Sequence, residues 1–195
     1  MSADLPSYTR TAVILHWVVA CLILVNVALG LCADSLPPDW VRPTIDAHKS
    51  IGITVLGLAL MRLLWRIGHP PPPLPAPMPA FERRAAQWAH IAMYVLMFAL
   101  PLSGWMHDSA WNAAATHPMH LYGLVPWPRI AWISHVEPVR KELLHTQLGT
   151  LHRLFADVLY VLLAAHLAGA LKHQIVDRHP ALRRMWFAAG RRAGE

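Results

Sequence analysis

Long apolar blocks alternate with polar connections along the chain. Residues 12–33 and 88–106 contain no charged side chain, and residues 154–171 contain only Asp157. A helix needs about 20 apolar residues, each rising about 1.5 Å, to cross a bilayer. Each of these three blocks therefore predicts a transmembrane helix.

A fourth block, residues 51–64, is shorter than the others. It becomes long enough when the polar residues at its ends are counted, because long side chains reach the membrane surface or a buried partner. The sequence therefore predicts an all-α integral membrane four-helix bundle, with one domain over residues 1–195. We expect the spans at about residues 12–33, 47–67, 86–107 and 149–172.

Composition agrees with this prediction, since 55% of the residues are hydrophobic and only 14% are charged. The first block could instead be a signal peptide. Only Arg10 precedes it as a positive charge, and at about 20 residues it is longer than the apolar region of a signal peptide. We therefore interpret it as a retained first helix.

The positive charges are distributed unequally between the two sides of the predicted bundle. With the N-terminus inside, eleven lie on inner segments and six on outer ones, which predicts that both termini are cytoplasmic. The net charge of +6 then indicates contact with anionic lipid rather than nucleic acid. The inner set is Arg10, Arg62, Arg66, Arg83, Arg84, Lys172, Arg178, Arg183, Arg184, Arg191 and Arg192; the outer set is Arg42, Lys49, Arg129, Arg140, Lys141 and Arg153.

The two longer connections differ in kind. Residues 69–79 are rich in proline and predict a stiff, extended inner strap. Residues 108–148 form a long outer loop with three tryptophans, and a loop of that length is usually functional. Its end, residues 137–144, predicts a short helix with proline in the first turn.

Histidines within the apolar spans are the most informative residues. Seven of the thirteen fall in predicted loops or at or beyond the ends of predicted helices, where we expect them to face water: His69, His107, His117, His120, His135, His145 and His179. The other six lie in or at the ends of spans, where ionisable groups indicate function: His16, His48, His90, His152, His166 and His173. His152 and His166 are fourteen residues apart, hence on nearly one helix face and about 21 Å apart along it.

Each histidine of the last span needs a partner at its own depth. His48 opens the second span on the outer side, level with His152, and His16 lies inside, near the depth of His166. This spacing predicts two bis-histidine sites, each holding one b-type haem with these histidines as axial ligands. His90 or His173 is the alternative ligand at the inner site.

Small and basic residues complete the predicted haem sites. Gly52, Gly149 and Gly169 lie one turn from ligand histidines and leave room for a porphyrin. We expect Arg62 and Arg66 inside, and Lys49 or Arg153 outside, to pair with the haem carboxylates. His173, at the inner surface, is a candidate for contact with a quinone or a haem carboxylate. Attachment is predicted to be non-covalent, since no Cys-x-x-Cys-His motif is present.

Several short motifs, in this order, resemble the bacterial cytochrome b561 family over nearly the whole chain. They are Leu15-His16-Trp17, Ala47-His48-Lys49 with Gly52, Arg62-Leu63-Leu64-Trp65-Arg66, Ala89-His90, Leu100-Pro101-Leu102-Ser103-Gly104, and Leu151-His152 with His166 and His173. The resemblance implies a four-helix bundle with two b haems, ligated from helices one, two and four, that exchanges electrons with membrane quinone. Some members oxidise superoxide outside and reduce ubiquinone, and others resemble the cytochrome b subunits that anchor hydrogenases or dehydrogenases.

We therefore expect a dihaem electron carrier of the bacterial inner membrane, with superoxide:ubiquinone oxidoreductase activity as its most specific form. The expected partners are lipid, quinone, and either an outer small-molecule donor or a redox protein. One alternative is a membrane-anchor subunit of a separate hydrogenase or dehydrogenase. A histidine-based carrier of divalent metal is a weaker alternative, because only Asp157 adds a carboxylate within the spans.

Overall fold

The computed structural model describes residues 8–73, 78–177 and 184–185. Within these ranges the chain forms the helices α1 (Arg10–Cys32), α2 (Pro38–Gly68), α3 (Ala80–Ser109), α4 (Ala131–Ser134) and α5 (Pro138–Leu171). Part of the predicted proline strap, residues 74–77, lies outside the described residues. So do four of the predicted inner cations, Arg178, Arg183, Arg191 and Arg192.

Four of these helices, α1, α2, α3 and α5, are long and apolar enough to cross a membrane. The predicted four-helix membrane bundle is therefore confirmed. Apolar side chains such as Leu31 and Val161 are 61% and 70% exposed on its outside. Exposed leucine and valine on every long helix are expected where the surrounding solvent is lipid.

The helices continue past the ends of their apolar blocks. α2 begins at Pro38 rather than near residue 47, with proline in its first turn and Asp39 beside it. α5 begins at Pro138, where the Glu137 carboxylate accepts hydrogen bonds from the Val139 and Arg140 amides. The predicted short helix is thus the first part of α5, because helical hydrogen bonding continues where the apolar pattern stops.

A small core holds the bundle together midway between the two histidine levels. Val19 of α1, Val55 and Ala59 of α2, and Met97 of α3 are buried against one another. The closest helix pairs are α3 with α5 and α1 with α2, and α2 also packs on α3. Two pairs joined through α2 and α3 leave an interhelical space on the outer side of this core.

The outer connection is folded rather than extended. A 3₁₀ turn (Asn112–Thr116) precedes a two-stranded antiparallel hairpin of β1 (His120–Leu121) and β2 (Val125–Pro126), and α4 follows. Three hydrogen bonds secure it to the end of α3: Trp105 Nε1 to the Pro128 carbonyl, Ile130 N to Ser109 Oγ, and Arg129 Nε to Asp108. The connection therefore forms a fixed cover at the outer end of the bundle.

Candidate functional site

Two histidine pairs face each other at two depths of the bundle. The ring centroids of His48 on α2 and His152 on α5 are 6.1 Å apart. Those of His16 on α1 and His166 on α5 are 6.4 Å apart. The structure thus brings together the four residues that the sequence placed in two pairs, with α5 contributing to both.

The His48 ring is held by α1. Its Nδ1 donates a hydrogen bond to the Asn26 carbonyl at 3.0 Å, since a carbonyl oxygen only accepts. A Cβ built on Gly30, also on α1, would lie 3.3 Å from His48 Cε1. The absence of a side chain at Gly30 therefore lets the ring pack against α1. Because Nδ1 carries the hydrogen, Nε2 of the neutral ring keeps its lone pair.

The His152 ring is held by α3 in the same way. Its Nδ1 lies 3.1 Å from the Leu100 carbonyl and 3.0 Å from Ser103 Oγ. Ser103 donates its own hydroxyl hydrogen to Leu100, so both oxygens accept from His152. A Cβ on Gly104 would lie 3.2 Å from His152 Cε1. The Leu-Pro-Leu-Ser-Gly motif of α3 thus forms the surface on which the His152 ring packs.

A cavity of about 740 Å³ contains both outer rings. Its walls are mainly apolar and come from α1, α2, α3 and α5, and Gly30, Gly52 and Gly104 line it. Imidazoles that bind metals commonly donate Nδ1–H to a carbonyl, which fixes the orientation of the ring, and both outer histidines make such a bond. The donor set, the glycine contacts and the cavity all fit a bis-histidine haem.

Lys49, one of the predicted partners of a haem carboxylate, is engaged by a buried aspartate. Its ammonium lies 2.6 Å from Asp108 Oδ1, and Arg129 Nε lies 2.9 Å from the other carboxylate oxygen. Arg129 also donates to the carbonyls of Ala114 and His117. Asp108 therefore joins the outer connection to the residue beside His48.

Two other cations lie at the cavity. Arg153, predicted as a carboxylate partner, is exposed, lines the cavity and donates to Thr150 Oγ1 at 3.5 Å. The Arg42 guanidinium also lines the cavity and lies 4.7 Å from the centre of the Trp111 ring. These two residues give the outer cavity a positive border.

The prediction that His107 and His145 face water from loops was wrong. Both lie in helices, line the cavity, and stack with ring centroids 3.9 Å apart. Each Nδ1 donates to the backbone carbonyl of the other residue, at 2.9 and 3.0 Å. A Cβ on Gly149 would lie 2.8 Å from His107, so that glycine accommodates His107. The sequence missed this pair because the apolar pattern ends before it.

The inner site contains a third histidine. The His90 and His166 ring centroids are 5.5 Å apart, and His90 Nδ1 donates to the Ala86 carbonyl at 2.7 Å. His16 is held differently: Arg62 Nη2 donates to its Nδ1 at 3.0 Å. His16 therefore accepts a hydrogen bond at the nitrogen through which the two outer histidines donate.

The two predicted inner arginines share one aromatic neighbour. The guanidinium carbons of Arg62 and Arg66 lie 5.5 Å and 5.7 Å from the centre of the Tyr94 ring. Cation–π contact keeps both side chains at the inner site. Both arginines thus lie at the inner histidine level of the bundle, with His16 and His90.

His173 lies on a π-helical turn, Lys172–Val176, at the end of α5. Its Nδ1 is 2.7 Å from Asp177, and Lys172 binds both Asp177 and Glu82 of α3. The hydrogen bonds from His173 and from Lys172 lower the pKa of the Asp177 carboxyl. These contacts join the ends of α3 and α5 on the predicted inner side.

A four-helix membrane bundle with paired internal histidines is the architecture of a membrane cytochrome b. The chain matches the sequence profile of prokaryotic cytochrome b561 over residues 7–188. It therefore belongs to the prokaryotic cytochrome b561 family, which consists of electron-transfer membrane proteins and implies b-type haem.

Three similar proteins cover most of the chain. Cytochrome b561 homolog 2 of Escherichia coli (strain K12) is 32% identical over 173 residues, which are 87% of this chain and 86% of that protein. Cytochrome b561 homolog 1 of the same organism is 26% identical over 180 residues, 91% and 96% of the two chains. The probable superoxide oxidase CybB of Yersinia pestis is 29% identical over 187 residues, 91% and 94% of the two chains.

The first prediction concerns Gly104, against which the His152 ring packs. Gly104→Ala places a methyl group 3.2 Å from the imidazole, so the ring must move by a few tenths of an ångström. If His152 is an axial ligand of a b-type haem, we expect a shifted midpoint potential for that haem. Potentiometric titration of the visible spectrum measures it. Gly57→Ala is the control, since no heavy atom lies within 4 Å of its Cβ position; equal shifts in both variants would contradict the assignment.

The second prediction concerns Asp108. Asp108→Asn leaves Lys49 and Arg129 facing a neutral group, and breaking such a buried pair costs on the order of 3 kcal/mol. We expect the variant to lose b-type haem at a lower temperature, which is followed by the Soret absorbance. Asp46→Asn is the control, because this carboxylate is half exposed, lies 3.5 Å from Lys49, and should contribute less than about 1 kcal/mol. Similar melting of both variants would show that the buried ion pairs add nothing.

Proposed function

We propose that this protein is a dihaem b-type cytochrome that carries electrons across the bacterial inner membrane, with both termini cytoplasmic. The observation that carries the proposal is the spacing of the two histidine pairs. Two imidazoles bound to one metal through bonds of about 2 Å have ring centres about 6 Å apart. The pairs at 6.1 Å and 6.4 Å match that spacing.

His48 and His152 are the proposed ligands of the outer haem, and His16 and His166 those of the inner one. At the outer site, hydrogen bonds to the Asn26 and Leu100 carbonyls hold both Nε2 lone pairs available for a metal. At the inner site, Arg62 would hold a haem carboxylate after leaving His16 Nδ1, and His16 would then be equivalent to the outer histidines. His90, at 5.5 Å from His166, is the competing ligand there.

Each bound haem supplies an iron that takes up and releases one electron. Two imidazoles from the chain would hold each haem, and a haem held in this way would have no free position for binding oxygen. α5 supplies one ligand to each site, and their separation of fourteen residues, about 21 Å, extends over most of the membrane thickness. The roles of the chain are thus to hold, separate and orient the two groups.

We further propose that the outer donor is superoxide and the inner acceptor is ubiquinone. The positive border of Arg42 and Arg153 supports an anionic donor, since a cleft lined by one sign of charge raises the encounter rate of the opposite ion. The similarity to a protein named probable superoxide oxidase agrees with it. Two superoxide ions, one quinone and two protons give two dioxygen molecules and one quinol, which balances atoms and charge.

The third prediction tests the haem number and the pairing. Acid acetone extraction and a pyridine haemochrome assay should give about two non-covalent haems per chain, one for each bis-histidine site. His48→Ala and His152→Ala should each lose the same haem, and His16→Ala and His166→Ala the other. His135→Ala, in the exposed outer connection, should keep both.

Two results would contradict this pairing. If His90→Ala removes the inner haem and His16→Ala keeps it, α3 rather than α1 supplies the inner ligand. If one substitution removes both haems while the helical circular dichroism is intact, the sites are not independent.

The fourth prediction tests the donor. Superoxide should reduce the haems rapidly at an ionic strength of about 0.01 M, where the Debye length is about 30 Å, and more slowly at about 0.15 M, where it is about 8 Å. Arg153→Gln should lower the rate and its dependence on salt. Arg140→Gln is the matched control, since Arg140 is an exposed outer cation of α5 away from the cavity lining.

Stopped-flow absorbance measures these rates. If superoxide does not reduce the haems, the donor is a different molecule, and the membrane-anchor alternative with a protein donor gains support. If Arg140→Gln and Arg153→Gln slow the reaction equally, the positive border of the cavity has no specific role.

A further inference from the structure

The outer hairpin, defined as residues 119–127, rests on one face of α2. The amide of Tyr122 donates to Ser50 Oγ at 2.9 Å. The Tyr122 hydroxyl lies 2.6 Å from Thr54 Oγ1, and Thr54 donates its own hydrogen to the Ser50 carbonyl. The tyrosine hydroxyl is therefore the donor to Thr54, and the turn is fixed to α2 at two points.

These contacts place the turn at the depth of the outer membrane boundary. Thr54 lies three residues, about 5 Å, inside the apolar block that begins at Ile51. Ser50, Thr54, Gly57, Met61 and Leu64 follow one another at helical spacing and share a face of α2. Gly57, Met61 and Leu64 are exposed on the outside of the bundle, where lipid surrounds it. The hairpin thus covers the outer end of a lipid-facing stripe.

The tip of the hairpin exposes apolar side chains. Tyr122, Leu124 and Val125 are 57%, 82% and 55% exposed. Residues 121–128 contain no charged side chain. Tyrosine and tryptophan concentrate at the membrane interface, where an apolar ring and a polar edge are both accommodated. A charge-free, exposed tip at this depth matches the boundary between acyl chains and headgroups.

The backbone conformation of the turn also depends on the contacts that Tyr122 makes with α2. Tyr122 and Gly123 have φ angles of +54° and +71°, the two positive values of a type I′ turn, in which Asn-Gly is the usual sequence. The Leu124 amide closes this turn on the Leu121 carbonyl, and Leu121 pairs with Val125. A tyrosine in that conformation is unfavourable in isolation. The hydrogen bonds to Ser50 and Thr54 offset that cost. The bond to Ser50 comes from the backbone amide, and the bond to Thr54 needs the tyrosine hydroxyl.

We propose that the outer hairpin is inserted in the outer leaflet, with Tyr122, Leu124 and Val125 in contact with phospholipid at the base of the headgroups. The lipid-facing stripe below it on α2 is the reason to prefer lipid to a protein partner. Met119, the first residue of the hairpin, lines the outer cavity. One wall of that cavity is therefore anchored in the bilayer.

The fifth prediction measures the depth of the tip. A nitroxide on Leu124→Cys, in the haem-loaded protein with Cys21 and Cys32 replaced by alanine, is examined in phosphatidylcholine–phosphatidylglycerol vesicles. Power-saturation electron paramagnetic resonance compares collision with oxygen, which partitions into lipid, and with a water-soluble nickel chelate. We expect oxygen accessibility to exceed nickel accessibility at residue 124, as at the lipid-facing reference Met61→Cys.

Ala115→Cys, exposed in the outer 3₁₀ turn, is the aqueous control and should show the reverse. Higher nickel than oxygen accessibility at residue 124 would overturn the proposal, because the tip would lie in water. Low accessibility to both reagents would also overturn it, since a second copy or another protein would then cover the tip. Unchanged haem spectra show that each labelled protein remains folded.

Discussion

The structure depends on how the Nδ1–H groups of the half-buried imidazoles between its helices are satisfied. Within a membrane bundle, water is not available to accept them, and an unsatisfied donor is costly. His48 of α2 uses a carbonyl of α1, and His152 of α5 uses a carbonyl of α3. Helical carbonyls can accept this second bond because each oxygen has two lone pairs. The orientation of both rings is therefore coupled to helix packing, and each ring joins one of the two closest helix pairs.

Glycine makes that coupling possible at short range. Gly30 and Gly104 lie under the two outer rings at contacts that a larger residue would disturb. The inner site is organised by charge instead, since Arg62 donates to His16 and shares Tyr94 with Arg66. The histidine rings thus differ in what holds them: backbone carbonyls hold His48 and His152, and a guanidinium holds His16. Differences in the groups that hydrogen-bond to haem ligands are a means by which proteins give similar haems different potentials.

The outer connection is part of the site and not only a link between helices. Asp108 binds Lys49 beside His48 and Arg129 in the connection, and Arg129 binds two further carbonyls there. A buried carboxylate between two cations is stable only as a complete set, because removing one member leaves an uncompensated charge. Asp108 therefore holds both the outer connection, which covers the outer cavity, and α2, which carries His48.

The sequence by itself determined the four-helix membrane architecture and the family, because apolar length and the order of short histidine motifs are properties of the chain alone. It also predicted the pairs His48 with His152 and His16 with His166, since helical rise converts sequence separation into depth. It could not predict that His107 and His145 stack or that Lys49 forms an ion pair with Asp108. It also could not predict that the His48 and His152 rings pack on Gly30 and Gly104. Those facts depend on which faces of α1, α3 and α5 meet. Only the tertiary structure decides that, because residues on different helices have no fixed spacing until the helices pack.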